Sequence, residues 1–141
     1  MIKKLIFGTQ CLGSYLNKRD SLSLLNKIYD FGVKKFDTAE RYPFPEKNET
    51  YGLTEEIIGN WHRNNRLRNA ILIDTKVAGR NFGEIKSIES KRLSPKRIIS
   101  AAEGSLKRLK TDYIDTFFIH WPDRFTNNFD RLYYAPENDP K

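Results

Sequence analysis

Short apolar runs alternate along the chain with longer stretches in which apolar residues return every three or four positions, and caps, prolines or glycines mark the changes. "KKLIFGTQ", residues 3–10, reads as a first strand. "DSLSLLNKIYDFG" follows with Leu22, Leu25, Ile28 and Tyr29 at helical spacing, Asp20 as the expected cap and Gly32 as the stop. "VKKFD" is a second short strand; after a polar loop, Thr54 is the expected cap of a helix with Glu55 and Glu56 in its first turn and Ile57, Ile58 and Trp61 turned inward. "AILIDTKV", Ala70 to Val77, is apolar almost throughout, as suits a strand covered on both faces. A long loop leads to Ser94 and Pro95, a cap and first-turn proline for a helix whose inward stripe reads Ile98, Ile99, Ala102, Leu106 and Leu109. "YIDTFFIHWP" is a fourth strand closed by Pro122.

The order is βαβαβαβ, which implies an α/β fold with a parallel sheet and right-handed crossovers. Such sheets are either open and doubly wound or part of an eight-fold barrel. An open nucleotide-binding sheet favours G-x-G-x-x-G after its first strand, and "FGTQCLG" does not offer it. Residues 1–141 read as one domain containing strands one to four, with 123–141 a polar, weakly ordered loop or tail.

Composition narrows the function classes. With 38% hydrophobic and 30% charged residues the chain is that of a water-soluble globular protein, and no run approaches the roughly 18 apolar residues of a membrane span. "MIKKLIFGTQ" is too short an apolar segment for a signal peptide. Cys11 is the single cysteine, which excludes an internal disulfide and fits a reducing cytoplasm. The net charge of +7 raises the question of nucleic acid. Its cations are scattered in pairs over every segment (Lys34 with Lys35, Lys96 with Arg97, Lys107 with Arg108), as on solvated faces, so no nucleic-acid partner is expected. His62 and His120 are the only histidines and fall on different elements, so no metal site is expected either.

The strand ends carry the chemistry. Asp37 ends the second strand, Lys76 the third and His120 the fourth, all on the carboxyl rim where β/α barrels build active sites; Tyr42 lies on the loop leaving that rim. Each has a plainer reading. Asp37 could cap a turn, His120 could be a satisfied core histidine and Tyr42 a packing residue. Lys76 at the end of an apolar strand is costly unless a carboxylate pairs with it. The four together suggest proton donation by a tyrosine. A phenol with a pKa of ~10 is a poor acid, and a lysine about 4 Å away at an effective dielectric of about 20 stabilises the phenolate by about 4 kcal/mol. The expectation is therefore that Lys76 lowers Tyr42 while Asp37 steadies Lys76 and His120 donates to the same oxygen or orients a carbonyl. A reduction would also need a hydride cofactor.

"FGTQCLG", "FDTAERYP", "GLTEEIIGNW", "DTKVAGR" and "SLKRLKTDYIDTFFIHWPD" resemble, in order and position, the opening half of the aldo-keto reductases, and within them a bacterial, Tas-like subgroup. The resemblance implies the N-terminal half of a (β/α)8 TIM barrel, NADPH as cofactor, a small aldehyde or ketone as partner, and a catalytic tetrad falling on Asp37, Tyr42, Lys76 and His120. It places Thr9 and Gln10, with Asp37, near the nicotinamide ribose, and makes Trp121 a substrate-pocket wall, although simple packing would explain Trp121 equally well. A barrel takes about 250 residues. The expectation is thus a truncated member, poorly active alone, whose open sheet edges favour self-association. The alternative is a non-catalytic binding or regulatory half-barrel that pairs with itself or with a second half.

Overall fold

The computed structural model describes residues 4–79, 93–121 and 123. Its elements are β1 (Ile6–Gly8), α1 (Lys18–Asp30), β2 (Lys35–Asp37), α2 (Leu53–Asn64), β3 (Leu72–Val77), α3 (Pro95–Leu109) and β4 (Thr116–Ile119). The four strands form one sheet in the order β1-β2-β3-β4, every pair parallel. This is the expected βαβαβαβ unit. The long loop after β3, Pro122 and the tail expected over 123–141, apart from Asp123, lie outside the described residues.

The strands are shorter than the apolar runs that announce them, because side chains take over backbone partners at their ends. Ala70 closes a 3-10 turn, Arg68–Ala70, rather than opening β3. Asp115 does not join β4: its Oδ2 accepts from the Ile73 N–H at 2.8 Å and from Arg68 at 2.8 Å, so the ladder starts at Thr116. Two expected caps are corrected. Asn17, not Asp20, caps α1, its Oδ1 accepting from the Asp20 N–H at 2.9 Å. Gly52 precedes α2, and Thr54 instead donates to the Leu12 carbonyl at 2.7 Å, tying α2 to the loop after β1. Ser94 caps α3 as expected, accepting from the Arg97 N–H, with Pro95 behind it.

Side chains alternate across a strand, so each strand presents two sets. Phe7, Phe36 and Ile73 belong to the core packed beneath the helices with Leu25, Ile57, Ile58, Trp61 and Leu109. Phe36 and Trp61 meet with ring centroids 5.0 Å apart, and the Trp61 indole donates to Asn26 at 2.7 Å. Gly59 allows α2 and α3 to approach: a Cβ there would lie 2.4 Å from the Arg108 carbonyl oxygen. The stripe of α3 is rotated from the expected one. Ala101, Ser105 and Leu109 are buried, whereas Ile99 is 59% exposed.

The opposite set belongs to the other face of the sheet. Ile6, Leu72 and Phe118 there are 54%, 48% and 43% exposed, whereas Asp74 on the same face is buried. The same face carries Lys35, Asp37, Asp74 and Lys76, which form ion pairs across it.

Candidate active site

Hydrogen bonds between successive strand ends assemble the rim. The Thr9 N–H and hydroxyl both donate to the Asp37 carbonyl, at 3.0 and 2.8 Å. Thr38 N–H donates to the Asp74 carbonyl at 2.8 Å, and Glu40 N–H to that of Lys76 at 3.2 Å. His120 N–H continues the series to the Val77 carbonyl at 3.0 Å. Each strand end is thereby held to the next, and the side chains leaving those ends share one edge.

Lys76 Nζ donates to both carboxylate oxygens of Asp37, at 2.8 and 2.7 Å, and to the Thr38 carbonyl at 2.7 Å. All three of its protons are thus directed at acceptors. Its ammonium lies 5.3 Å from the centroid of the Tyr42 ring. His120 meets that ring edge to face with centroids 5.6 Å apart, and in turn packs on Trp121 at 4.9 Å. The four strand-end candidates therefore come together.

The electrostatics correct one expectation. Tyr42 is raised above the ordinary phenol range, by burial first and then by the negative charge of Asp37. Lys76 stands nearby with its protons on Asp37, and the phenol is nonetheless raised rather than lowered. Arg41 is the cation that opposes the rise. At neutral pH Tyr42 accordingly holds its proton. His120 is driven down to about 4 by burial, then by Lys76 and Arg41, so its ring is neutral. Its Nδ1 is buried with no hydrogen-bond partner among the described residues.

Three groups that strand-end reasoning missed support the rim. Arg41 lies 4.5 Å above the Trp121 ring and pairs with Glu46; burial lowers it to about 10. Glu40, buried, accepts from the Ala78 N–H at 2.6 Å and pairs with Arg97 of α3, bracing the loop after β2 against the one after β3. Glu55, fully buried on α2, accepts from the Thr75 hydroxyl and from Arg108, each at 2.6 Å. Glu40 is a second acid close after Asp37 in the chain, but only the fold reveals its partner 57 residues away. Thr9 is buried with its hydroxyl committed to Asp37, while Gln10 is exposed at the end of β1. Trp121 sits against Gly79, where a Cβ would come within 2.7 Å of its indole nitrogen.

Comparison with known proteins shows what the chain is similar to. The chain is 38% identical over 135 residues to Protein tas of Escherichia coli (strain K12), covering 95% of this chain and 39% of that protein. It is 32% identical over 120 residues to the aldo-keto reductase YhdN of Bacillus subtilis (strain 168), covering 82% of this chain and 33% of that one. Among solved structures it superposes on the glycerol dehydrogenase AKR11B4 from Gluconobacter oxydans with a TM-score of 0.63 and 29% identity, over 84% of this chain and 35% of that chain. The chain thus spans about 39% of the length of the tas protein it matches. The model of the Aldo/keto reductase family matches residues 4–134, and with the parallel half-barrel sheet and its strand-end cluster this establishes that the chain belongs to the aldo/keto reductase family.

Proposed function

We propose that this rim is the proton-donating side of an NADPH-dependent carbonyl reductase, converting an aldehyde or ketone to its alcohol with Tyr42 as the acid. The observation that carries the reading is the convergence of Tyr42, the doubly bonded Asp37–Lys76 pair and His120 at one strand-end edge.

The residues present fit the nicotinamide end of such a cofactor. The His120 Nδ1 is a buried polar atom without a partner among the described residues, and the Gln10 side chain stands exposed at the same edge. Gln10 and Asp37 would lie against the ribose, with Thr9 holding Asp37 in place. When bound, the cofactor supplies a hydride to the carbonyl carbon. The chain's own residues handle the proton. Burial and Asp37 keep it on the Tyr42 oxygen until a carbonyl oxygen develops negative charge beside it. The neutral imidazole of His120 donates its ring N–H to that oxygen and orients it. Lys76, fixed by Asp37 and the Thr38 carbonyl, places a positive charge beside the phenol as the proton leaves. Arg41 holds Trp121 as the wall against which the substrate packs.

The test is NADPH oxidation with an aromatic aldehyde such as nitrobenzaldehyde, measured on the native protein that carries this chain. Tyr42→Phe is expected to lower kcat by about 10²- to 10⁴-fold with KM little changed. Undiminished turnover in that variant would overturn the assignment of Tyr42 as the acid.

A further inference from the structure

A second lysine shares the face of β2 that carries Asp37, and the structure gives it a separate partner. Lys35 precedes Asp37 by two positions on β2, so both side chains leave the same face. Asp74 and Lys76 bear the same relation on β3. Asp37 and Asp74 stand directly opposite each other in the β2–β3 register, an unfavourable placement for two like charges. Each carboxylate takes a lysine from the neighbouring strand: Lys76 reaches Asp37 at 2.7 Å, and Lys35 reaches Asp74 at 2.9 Å. Asp74 is 2% exposed, and its second oxygen, Oδ1, is buried without a partner among the described residues. Such a carboxylate is costly to keep unless it has something to neutralise. Tyr42 and His120 face Lys76 from the rim, and neither brings a carboxylate to this cluster.

We infer that Asp74 is a positioning residue: it draws off Lys35, so that Asp37 is left with both oxygens for Lys76. The two crossed pairs together are neutral, and their separation into Lys35–Asp74 and Asp37–Lys76 fixes where the Lys76 ammonium stands relative to Tyr42. Replacing Asp74 by a neutral residue leaves the Lys35 cation uncompensated on the same strand as Asp37. Lys35 then competes for that carboxylate and repels Lys76. The consequence for turnover rests on the reductase reading above; the pairing itself does not, and is tested without turnover.

The experiment is site-resolved acylation of the lysines by acetic anhydride at fixed pH, read by mass spectrometry of the digested protein. In the starting protein Lys76, with its three protons on acceptors, is expected to react slowly. In Asp74→Asn its rate is expected to rise about tenfold, the effect of one uncompensated charge at this range. Adding Lys35→Met to Asp74→Asn is expected to return the rate to its starting value, a rescue that a merely structural role for Asp74 would not show. Lys35→Met alone is expected to produce no rise. Asp74→Ser serves as a second neutral variant should Asp74→Asn fail to fold, with circular dichroism confirming the fold of each. An unchanged Lys76 rate in a folded neutral variant, or a rate that stays high in the double variant, overturns the inference. Loss of the pairing effect with reduction intact would refute only this role, whereas loss of reduction in Tyr42→Phe bears on the function and leaves the pairing untouched.

Discussion

His120 ties the stability of the chain to pH in a direction that can be worked out. Its imidazole is driven from 6.5 to about 4 by burial, then by the Lys76 and Arg41 cations. The unfolded chain releases that ring to water, where it takes a proton that the folded ring refuses. Unfolding therefore binds a proton between the two values, and stability falls as pH falls. The full contribution is present above 6.5 and is progressively lost toward 4. Integrating the two titrations down to a pH of about 5 gives a loss of about 2 kcal/mol, and solvent screening of a partly open ring reduces it to about 1 kcal/mol. His62, lowered by burial and only partly supported by its 2.7 Å contact with the Leu109 carbonyl, adds in the same direction. The assay is urea unfolding followed by fluorescence of Trp61 and Trp121, at several pH values from about 7.5 to about 5. His120→Asn should remove most of the pH dependence and leave the part owed to His62. A variant that retains the whole loss, or a starting protein whose midpoint does not move across this range, would refute the reasoning.

Other outcomes follow from the packing. Glu55→Ala strands the Arg108 guanidinium and the Thr75 hydroxyl in the α2–β3–α3 interior and should cost about 3–5 kcal/mol in urea unfolding; a loss below about 1 kcal/mol would mean that the pair is not held in solution. Gly59→Ala puts a methyl 2.4 Å from the Arg108 carbonyl oxygen and 2.7 Å from the Leu109 carbonyl carbon, so α2 and α3 must part; a cost of about 1–3 kcal/mol, read as a lower Tm, is expected. Gly79→Ala should displace the indole of Trp121 and alter its emission while leaving the far-ultraviolet circular dichroism unchanged.

The order of elements was legible because each change of apolar period coincides with a local stop. Gly32, for example, has φ +105°, a conformation glycine enters without strain, and it ends α1 as its position suggests. The caps were less legible. Thr54 looks like a cap by its place before two glutamates, yet its hydroxyl serves Leu12, 42 residues away. Ile99 looks inward by spacing, yet the small residues Ala101 and Ser105 take the buried line of α3. Local pattern reports that a helix has an apolar side; the shape of what it meets selects which residues occupy it.

Chain order and residue type sufficed to place Asp37, Tyr42, Lys76 and His120 at one rim, because parallel strands joined by helices all end on the same side. They also supplied the apolar faces that hold the sheet to its helices. What pairs with what was decided only in three dimensions. Asp37 gives both oxygens to Lys76, and burial with the negative charge of Asp37 raises Tyr42, so the phenol keeps its proton. Lys35 goes to Asp74, Glu40 to Arg97 and Glu55 to Arg108, each across strands or helices far apart in the chain. The reason is that charge interactions depend on distances of a few ångströms and on burial, and neither is written in the spacing of residues along a strand.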